Sequence, residues 1–373
     1  MRVLRTAVDF RATLLQLWAA TAAAHPLWAR LFLSPLSRLF QGLVYLRQCG
    51  YRYRLRAVRS LPGQVISVGN LVVGGTGKSP TVSFLTAALV GTQRQVVILT
   101  RGYGSSLQQG EWCILLAGKV VQSSGLRKPF CADEPRMLSC HHPTVPILVG
   151  ADRYAVATHY LQTHAAPQLW LLDDGFQHFQ IHRDIDLVLL SGSLPLGNGW
   201  VLPRGSLREP ASALDRAHAL IRIGTSGQET VAWQGCPVFT LRQEITHFYR
   251  PARGSLWGPQ VLQGRQIACV AAIARPERFV ASLAAQGLQV VQHYFVPDHH
   301  PLCAGKLAAL VAQGLLVVTT EKDYYRQPED FCRLGEAQCA VARLETRGGE
   351  PLLQWLESRL HPQVQPGVRR AAE

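Results

Sequence analysis

No C-x-x-C pair occurs in this chain, and its nine cysteines (residues 49, 113, 131, 140, 236, 269, 303, 332 and 339) are scattered and odd in number. That pattern argues against a zinc-ribbon or disulfide framework and suits a reducing compartment. Charged side chains are also scarce, 17% against 47% hydrophobic. Such a balance over 373 residues excludes a disordered chain and leaves room for two domains with cores of their own. Internal repeats and low-complexity tracts are missing. Acids are almost absent where bases gather: residues 1–61 hold ten arginines, no lysine and one carboxylate, Asp9, so +9 of the net +14 sits in the first sixth of the chain.

What is present begins with a glycine-rich loop. Gly74-Gly75-Thr76-Gly77-Lys78-Ser79 follows the apolar run Val65-Ile66-Ser67-Val68 and precedes a helical stretch. Strand, loop and helix in that order form a phosphate-binding loop for a nucleoside triphosphate such as ATP. Glycines let backbone N–H groups face phosphate oxygens, the helix N-terminus adds its dipole, Lys78 supplies a point charge and Ser79 a hydroxyl for Mg²⁺. The full G-x-x-x-x-G-K-[ST] pattern would place its first glycine at Val72, so the loop is atypical. A glycine-rich turn capping a helix is the structural alternative.

The arginine-rich start interleaves charge with Leu, Trp, Phe and Ala, a texture suited to an anionic membrane surface or to nucleic acid. Ser34-Pro35 reads as an N-cap and first turn, followed at helical spacing by Leu36, Leu39, Phe40, Leu43, Val44 and Leu46, with Arg38 and Arg47 available for lipid headgroups. No RNA- or DNA-binding module accompanies these arginines, which favours the membrane and leaves a nucleic-acid-dependent ATPase as a lesser reading. Packing of the stripe on the protein's own core is the alternative. Residues 12–29 carry no charge, but Thr13, Gln16, Thr21, His25 and Pro26 weaken them as a spanning helix. A cleaved signal peptide is mimicked and set aside, because the ATP such a loop needs is cytosolic.

Apolar strands alternate with helical patterns: Gln64 to Val68, helix Thr81 to Val90, Gln95 to Leu99, Val145 to Val149, helix Arg153 to Thr163, Leu169 to Leu172, Ile185 to Leu190 and Ala219 to Ile223. The expected fold class is therefore α/β, a P-loop NTPase-like parallel sheet domain with a second, smaller α/β domain. The expected organisation is a basic apolar region over 1–60, a kinase core over 61–225, linker strands over 226–252 (Pro237 to Leu241 and Ile245 to Tyr249) and a carboxyl-terminal α/β domain over 253–373.

Leu169-Trp170-Leu171-Leu172 ends in Asp173-Asp174, where a P-loop enzyme needs an acid to hold Mg²⁺. Around these stand Arg101-Gly102-Tyr103-Gly104, Asp133-Glu134-Pro135, Gly175-Phe176-Gln177-His178, Arg204 to Pro210, Pro297-Asp298-His299-His300-Pro301 and Thr320-Glu321-Lys322-Asp323. In this combination and order the chain closely resembles the tetraacyldisaccharide 4'-kinase family, the lipid A 4'-kinases of Gram-negative bacteria, over nearly its whole length. The family's loop, resembling Gly-Asn-x-x-x-Gly-Gly-Thr-Gly-Lys, accounts for Val72, with Gly69-Asn70 in the corresponding place. Ser79 stands where Thr is commoner and keeps the hydroxyl.

The resemblance implies a peripheral enzyme on the cytoplasmic face of the inner membrane that moves the γ-phosphoryl group of ATP to the 4'-hydroxyl of a tetraacylated glucosamine disaccharide 1-phosphate. It implies ATP and Mg²⁺ as cofactors and the lipid-linked disaccharide as partner, with no nucleic acid and no obligate protein partner. Asp133 resembles the family's base, with His299 (or His300) orienting it and Lys78 on the phosphates. Gly74, Gly75, Thr76, Gly77, Lys78 and Ser79 would bind the nucleotide. Ser79, Asp173, Asp174 and Glu209 would serve the metal. Arg208, with Gln177 and His178, would line the phosphate or sugar site, and Arg101, at the carboxyl edge of a strand, would hold the 1-phosphate. The structural alternative for Asp133 is a helix N-cap, and for the paired histidines a loop satisfied by backbone. A P-loop GTPase or metallochaperone is the chief alternative. Thr320-Glu321-Lys322-Asp323 approaches a guanine-reading [NT]-K-x-D motif with its lysine displaced by one position.

Overall fold

The computed structural model describes residues 17–18, 26–125, 131–192, 194–224, 233, 235–251, 256–298, 300–335 and 337–360. Most of the uncharged 12–29 run and the carboxyl terminus from His361 lie outside these residues, as does His299.

Helix α1 (Ser34–Arg52) is preceded by a π-helical turn, Ala29–Leu33, and Ser34 itself has helical dihedrals (φ −66°, ψ −45°). Ser34 is therefore no N-cap. Pro35 falls inside a continuing helical run, and the wide turn just before it accommodates a ring that cannot donate to the preceding turn. Strand β1 (Gln64–Asn70) runs into the loop and then α2 (Lys78–Gly91). The first unit continues with β2 (Val96–Thr100), a hairpin of β3 (Trp112–Leu116) and β4 (Lys119–Ser123), α3 (Asp133–His141), β5 (Ile147–Gly150), α4 (Arg153–Leu161), β6 (Leu169–Asp173), β7 (Ile185–Ser191) and β8 (Ala219–Ile223). Then come β9 (Val238–Tyr249), β10 (Leu256–Trp257), β11 (Gln266–Ala271), α5 (Pro276–Ala285), β12 (Gln289–Phe295), α6 (Ala304–Ala312), β13 (Leu316–Thr320), α7 (Glu321–Arg326), α8 (Pro328–Arg333), β14 (Cys339–Arg347) and α9 (Glu350–Arg359).

Among the described residues these strands form one continuous sheet in the order β12-β11-β13-β14-β9-β8-β7-β1-β6-β2-β5-β3-β4, with β10 against β9. The central strands are parallel, and in the main order only the β5–β3, β3–β4 and β9–β14 contacts run antiparallel. Each central strand is apolar on both faces because both are covered. Val96 and Ile98 enter one core and Val97 and Leu99 the other, and Leu169 and Leu171 alternate likewise with Trp170 and Leu172.

Two differences from the expected organisation concern the link between units. The strand pieces expected at Pro237 to Leu241 and Ile245 to Tyr249 are a single strand. Its first half pairs in parallel with β8 and its second half antiparallel with β14, changing partners between Leu241 and Arg242. Helix α9 returns to the first unit: Leu352, Leu356 and Leu360 join the core beneath α2, and Trp355 meets Phe239 with ring centroids 5.7 Å apart.

Candidate active site

The carboxyl ends of β1, β2, β6 and β7 open into a cleft of about 1840 Å³ that reaches from α1 across the glycine-rich loop to α5 and α7. Residues Leu71 to Val73 are tied to the segment 206–208. Val72 bridges Leu207, Val73 N donates to Ser206 O at 2.8 Å and Arg208 N to Leu71 O at 2.7 Å. That pairing is the physical reason for valine where the usual pattern has glycine. Buried Asn70 then staples the loop: its Nδ2 donates to Val72 O and Thr76 Oγ1, both at 2.8 Å, and its Oδ1 accepts from Lys78 Nζ at 3.1 Å.

Gly77 starts α2 in the left-handed region (φ 86°), and a Cβ there would stand 2.3 Å from Gln243 Oε1. Gln243, on β9, donates from Nε2 to Gly77 O at 2.8 Å. Nothing in its sequence neighbourhood marked it.

Asp174 adopts φ 52°, unusual for a non-glycine residue, and so turns its carboxylate back toward the loop. Lys78 Nζ lies 3.5 Å from it and Arg208 Nη1 at 2.8 and 3.0 Å from its two oxygens. Burial pushes this carboxyl up, but Lys78 and Arg208 outweigh burial and hold it below the usual range. Asp173 differs. Burial, then Glu134 and Asp174, raise it to about 6. Its Oδ2 accepts from Thr100 Oγ1 at 3.1 Å, while Oδ1 is buried without a hydrogen-bond partner.

Asp133 opens α3 as its first residue, with Ala132 in the capping position. It is therefore not the N-cap. Its Oδ1 accepts from Glu134 N at 3.0 Å and its Oδ2 from Arg326 Nη2 at 2.8 Å. Glu134 is bonded to Lys322. Burial raises Glu134, yet Lys322, Lys78 and Ser79 together bring it below its ordinary value. Arg101 is exposed at the cleft's lip, and Gln177 lines the cleft, donating to Asn70 O at 2.9 Å.

Two expected site residues are placed differently: Glu209 lines the cleft with its charge already paired, and His178 stands outside it. Glu209 is almost fully buried and its Oε2 accepts from Arg216 at 2.6 Å and Gln48 at 2.9 Å. It is a compensated strut between α1 and the chain after β7, and its ion-pair partner is Arg216 instead of a metal cluster. His178 does not line the cleft. Burial, with Arg153 and Arg183 nearby, lowers its imidazole to about 3, so it is neutral at physiological pH. His299 lies outside the described residues, while its neighbours Asp298 and His300 line the cleft. In the Thr320 to Asp323 motif, Thr320 caps α7 through Asp323 N, and Asp323 accepts from Ala272 N at 3.1 Å. These residues brace a helix.

The sequence model of the tetraacyldisaccharide-1-P 4'-kinase family matches residues 29–361. The chain belongs to that family. The tetraacyldisaccharide 4'-kinase of Pelobacter propionicus is 37% identical over 298 residues, 78% of this chain and 81% of that one. The enzyme of the same name from Geobacter metallireducens is 35% identical over 326 residues, 86% of this chain and 95% of that one. Among solved structures, LpxK from Aquifex aeolicus in complex with ATP superposes with a TM-score of 0.71 at 26% identity, covering 88% of this chain and 98% of that one. Membership in this kinase family sets aside the GTPase or metallochaperone alternative.

For a member of the family, the donor set at the loop fits Mg²⁺. Ser79 and Asp173 offer oxygen only, and the unpartnered Asp173 Oδ1 is a buried acceptor without a donor. Among the described residues no three His, Cys, Asp or Glu side chains converge as a cage. An ion here would therefore complete its shell with water and phosphate oxygens, as Mg²⁺ does.

A stability consequence follows for Asp173. With its folded-state value raised, the native state binds the extra proton between the unfolded value, near 4, and about 6, so stability falls as pH rises through that window. Asp173→Asn is expected to melt several degrees above the wild type at pH 7.5, with the difference shrinking below pH 4, by calorimetry of the ligand-free protein. An unchanged melting temperature at both pH values would contradict this reading of the site.

Proposed function

We propose that the chain performs its family's reaction, transfer of the ATP γ-phosphoryl group to the 4'-hydroxyl of tetraacyldisaccharide 1-phosphate, with its own residues in the following roles. The observation that carries this reading is the convergence of Lys78, Asp173, Asp174 and Asp133 on one cleft that α1 also lines. Phosphoryl transfer asks a protein for position, charge neutralisation and a proton acceptor. The loop N–H groups and Lys78 take the β- and γ-phosphates, with Asn70 and Asp174, the latter held by Arg208, fixing the Lys78 ammonium from behind. Asp133 takes the hydroxyl proton, and Arg101 at the lip meets the 1-phosphate. Mg²⁺ held at Ser79 and Asp173 would neutralise charge developing on the phosphate oxygens. His299 is proposed as the orienting partner of Asp133.

The lobes of this reading are 61–225 with the returning α9, and the 253–349 unit, joined by the single strand β9. The test is transfer of labelled phosphate from ATP to tetraacyldisaccharide 1-phosphate in detergent with Mg²⁺. Failure of transfer by folded, ATP-binding protein would refute it.

Docking on the cytoplasmic membrane surface is part of the same proposal. Leu36, Leu39, Leu43 and Leu46 form an outward face of α1, each more than half exposed, while Ser37, Phe40 and Val44 face the body. The stripe is thus not absorbed by the protein's own core. Arg38 and Arg47 flank it, and each basic residue near an anionic leaflet contributes on the order of 1 kcal/mol. Among the described residues no helix is long and apolar enough to cross a membrane. Leu39→Glu with Leu46→Glu, neither lining the cleft, should weaken binding to anionic vesicles by about tenfold or more. Activity on detergent-dispersed substrate should stay unchanged. Wild-type vesicle binding in that variant would locate the docking surface elsewhere.

A further inference from the structure

Helix α3 of the first unit and α7 of the second meet through three polar pairs. Arg326 bonds Asp133 at 2.8 Å, Lys322 bonds Glu134, and Glu321 bonds His141 Nε2 at 2.7 Å. The first of these is itself braced. Arg326 Nη1 donates to Asp323 Oδ1 at 2.9 Å and to Ala272 O at 3.3 Å, and Asp323 Oδ2 accepts from Thr320 Oγ1 at 2.8 Å and Ala272 N at 3.1 Å. Arg326 and Asp133 are both largely buried, with side chains 14% and 6% exposed. A guanidinium fixed at one end by a buried carboxylate and a carbonyl has little freedom to choose where its other end points.

The acid at that other end needs such a constraint. An aspartate in the first turn of a helix can fold back onto the exposed N–H groups there, as Asp133 Oδ1 does with Glu134 N. Left to itself, the whole carboxylate would be drawn to the helix end. Arg326 takes the second oxygen and fixes its direction. An ionised carboxylate has about four acceptor sites, so these two bonds leave room for a substrate hydroxyl.

We propose that Arg326, braced by Asp323, is a positioning residue that aims the Asp133 carboxylate, so that the proton acceptor is set only when the second unit is seated against the first. This rests on the reading of Asp133 as the group that receives the hydroxyl proton. Lys322 does the parallel service for Glu134, and burial of its ammonium is outweighed by Glu134, Asp133 and Asp298. Of the cations that offset the acids around the loop, Lys78, Arg153 and Arg208 come from the first unit. Lys322 and Arg326 come from the second.

The test is a double-mutant cycle on the full chain with Arg326→Ala, Arg326→Lys, Asp133→Asn and the Arg326→Ala/Asp133→Asn pair, each checked by thermal melting and ATP binding. A misaimed acceptor costs on the order of 10²-fold, so Arg326→Ala should lose about that in kcat with the KM for ATP within about twofold. Arg326→Lys should recover most of the loss. The double variant should be no slower than Asp133→Asn alone. Should Arg326→Ala not fold, Asp323→Asn leaves the guanidinium in place and removes its brace, and the same comparison applies. Losses that multiply in the double variant, or a raised KM for ATP at unchanged kcat, would overturn the proposal and make Arg326 a phosphate contact. Wild-type kcat in Asp133→Asn would instead remove the proton-acceptor reading on which it stands.

Discussion

Asp133→Asn is expected to lower kcat by about 10²–10⁴-fold while ATP still binds, since general-base assistance is worth that much. Asparagine is the informative replacement. It keeps the shape and one acceptor oxygen, whereas alanine would strand the buried Arg326 guanidinium at a cost of about 3–5 kcal/mol. Of the two bonds Asp133 now accepts, from Glu134 N and Arg326 Nη2, one would meet the new amide group. The variant should therefore also lose about 1–3 kcal/mol of stability, too little to unfold a chain of this size. Single-turnover transfer with calorimetric ATP titration separates the two effects. A kcat near that of the wild type would remove the carboxylate from the chemistry.

Lys78→Ala should cost about 10²–10³-fold in kcat/KM, the price of one preorganised charge on the transferring group. Its signature should differ from that of Asp133. Lys78 acts on the nucleotide in both ground and transition states, so the KM for ATP should rise together with the fall in kcat. Lys78→Arg should not restore activity, because the ammonium lies between Asn70 Oδ1 at 3.1 Å and Asp174 at 3.5 Å, a point-charge site that a planar fork does not fit. Unchanged ATP affinity in Lys78→Ala would place the phosphates elsewhere.

The parts of the fold that were legible in the chain are those whose signal is local. Strands β1, β6 and β7 are short apolar runs buried on both faces, and the loop after β1 and the paired acids after β6 are motifs only a few residues long. The hairpin over 112–123 and strand 339–347 escaped notice for the opposite reason. The apolar runs Trp112 to Leu116 and Cys339 to Ala342 are short, and the polar residues Lys119, Gln122, Glu345 and Arg347 in the rest of these segments dilute the signal. Polar Arg242-Gln243-Glu244 made β9 look like two pieces, because that is where it changes partners.

In the site, sequence order led to Lys78, Asp133, Asp173, Asp174, Arg208 and Gln177, which the fold gathers around one cleft. Glu209 also lines that cleft, with its carboxylate paired to Arg216, while His178 lies behind it. Gln243 and Arg326 could not have been found by spacing. Their partners Gly77 and Asp133 are 166 and 193 residues away, and only the fold brings such pairs together.

Strand β9 carries one last implication. Because one unbroken backbone is laced into both ladders, moving one half of the molecule against the other winds or unwinds that strand. The change of partner falls between Leu241 and Arg242, where the strand passes from one ladder to the other. Gln243 sits at that point with its amide on the Gly77 carbonyl, so any such winding bears directly on the cradle beneath the triphosphate.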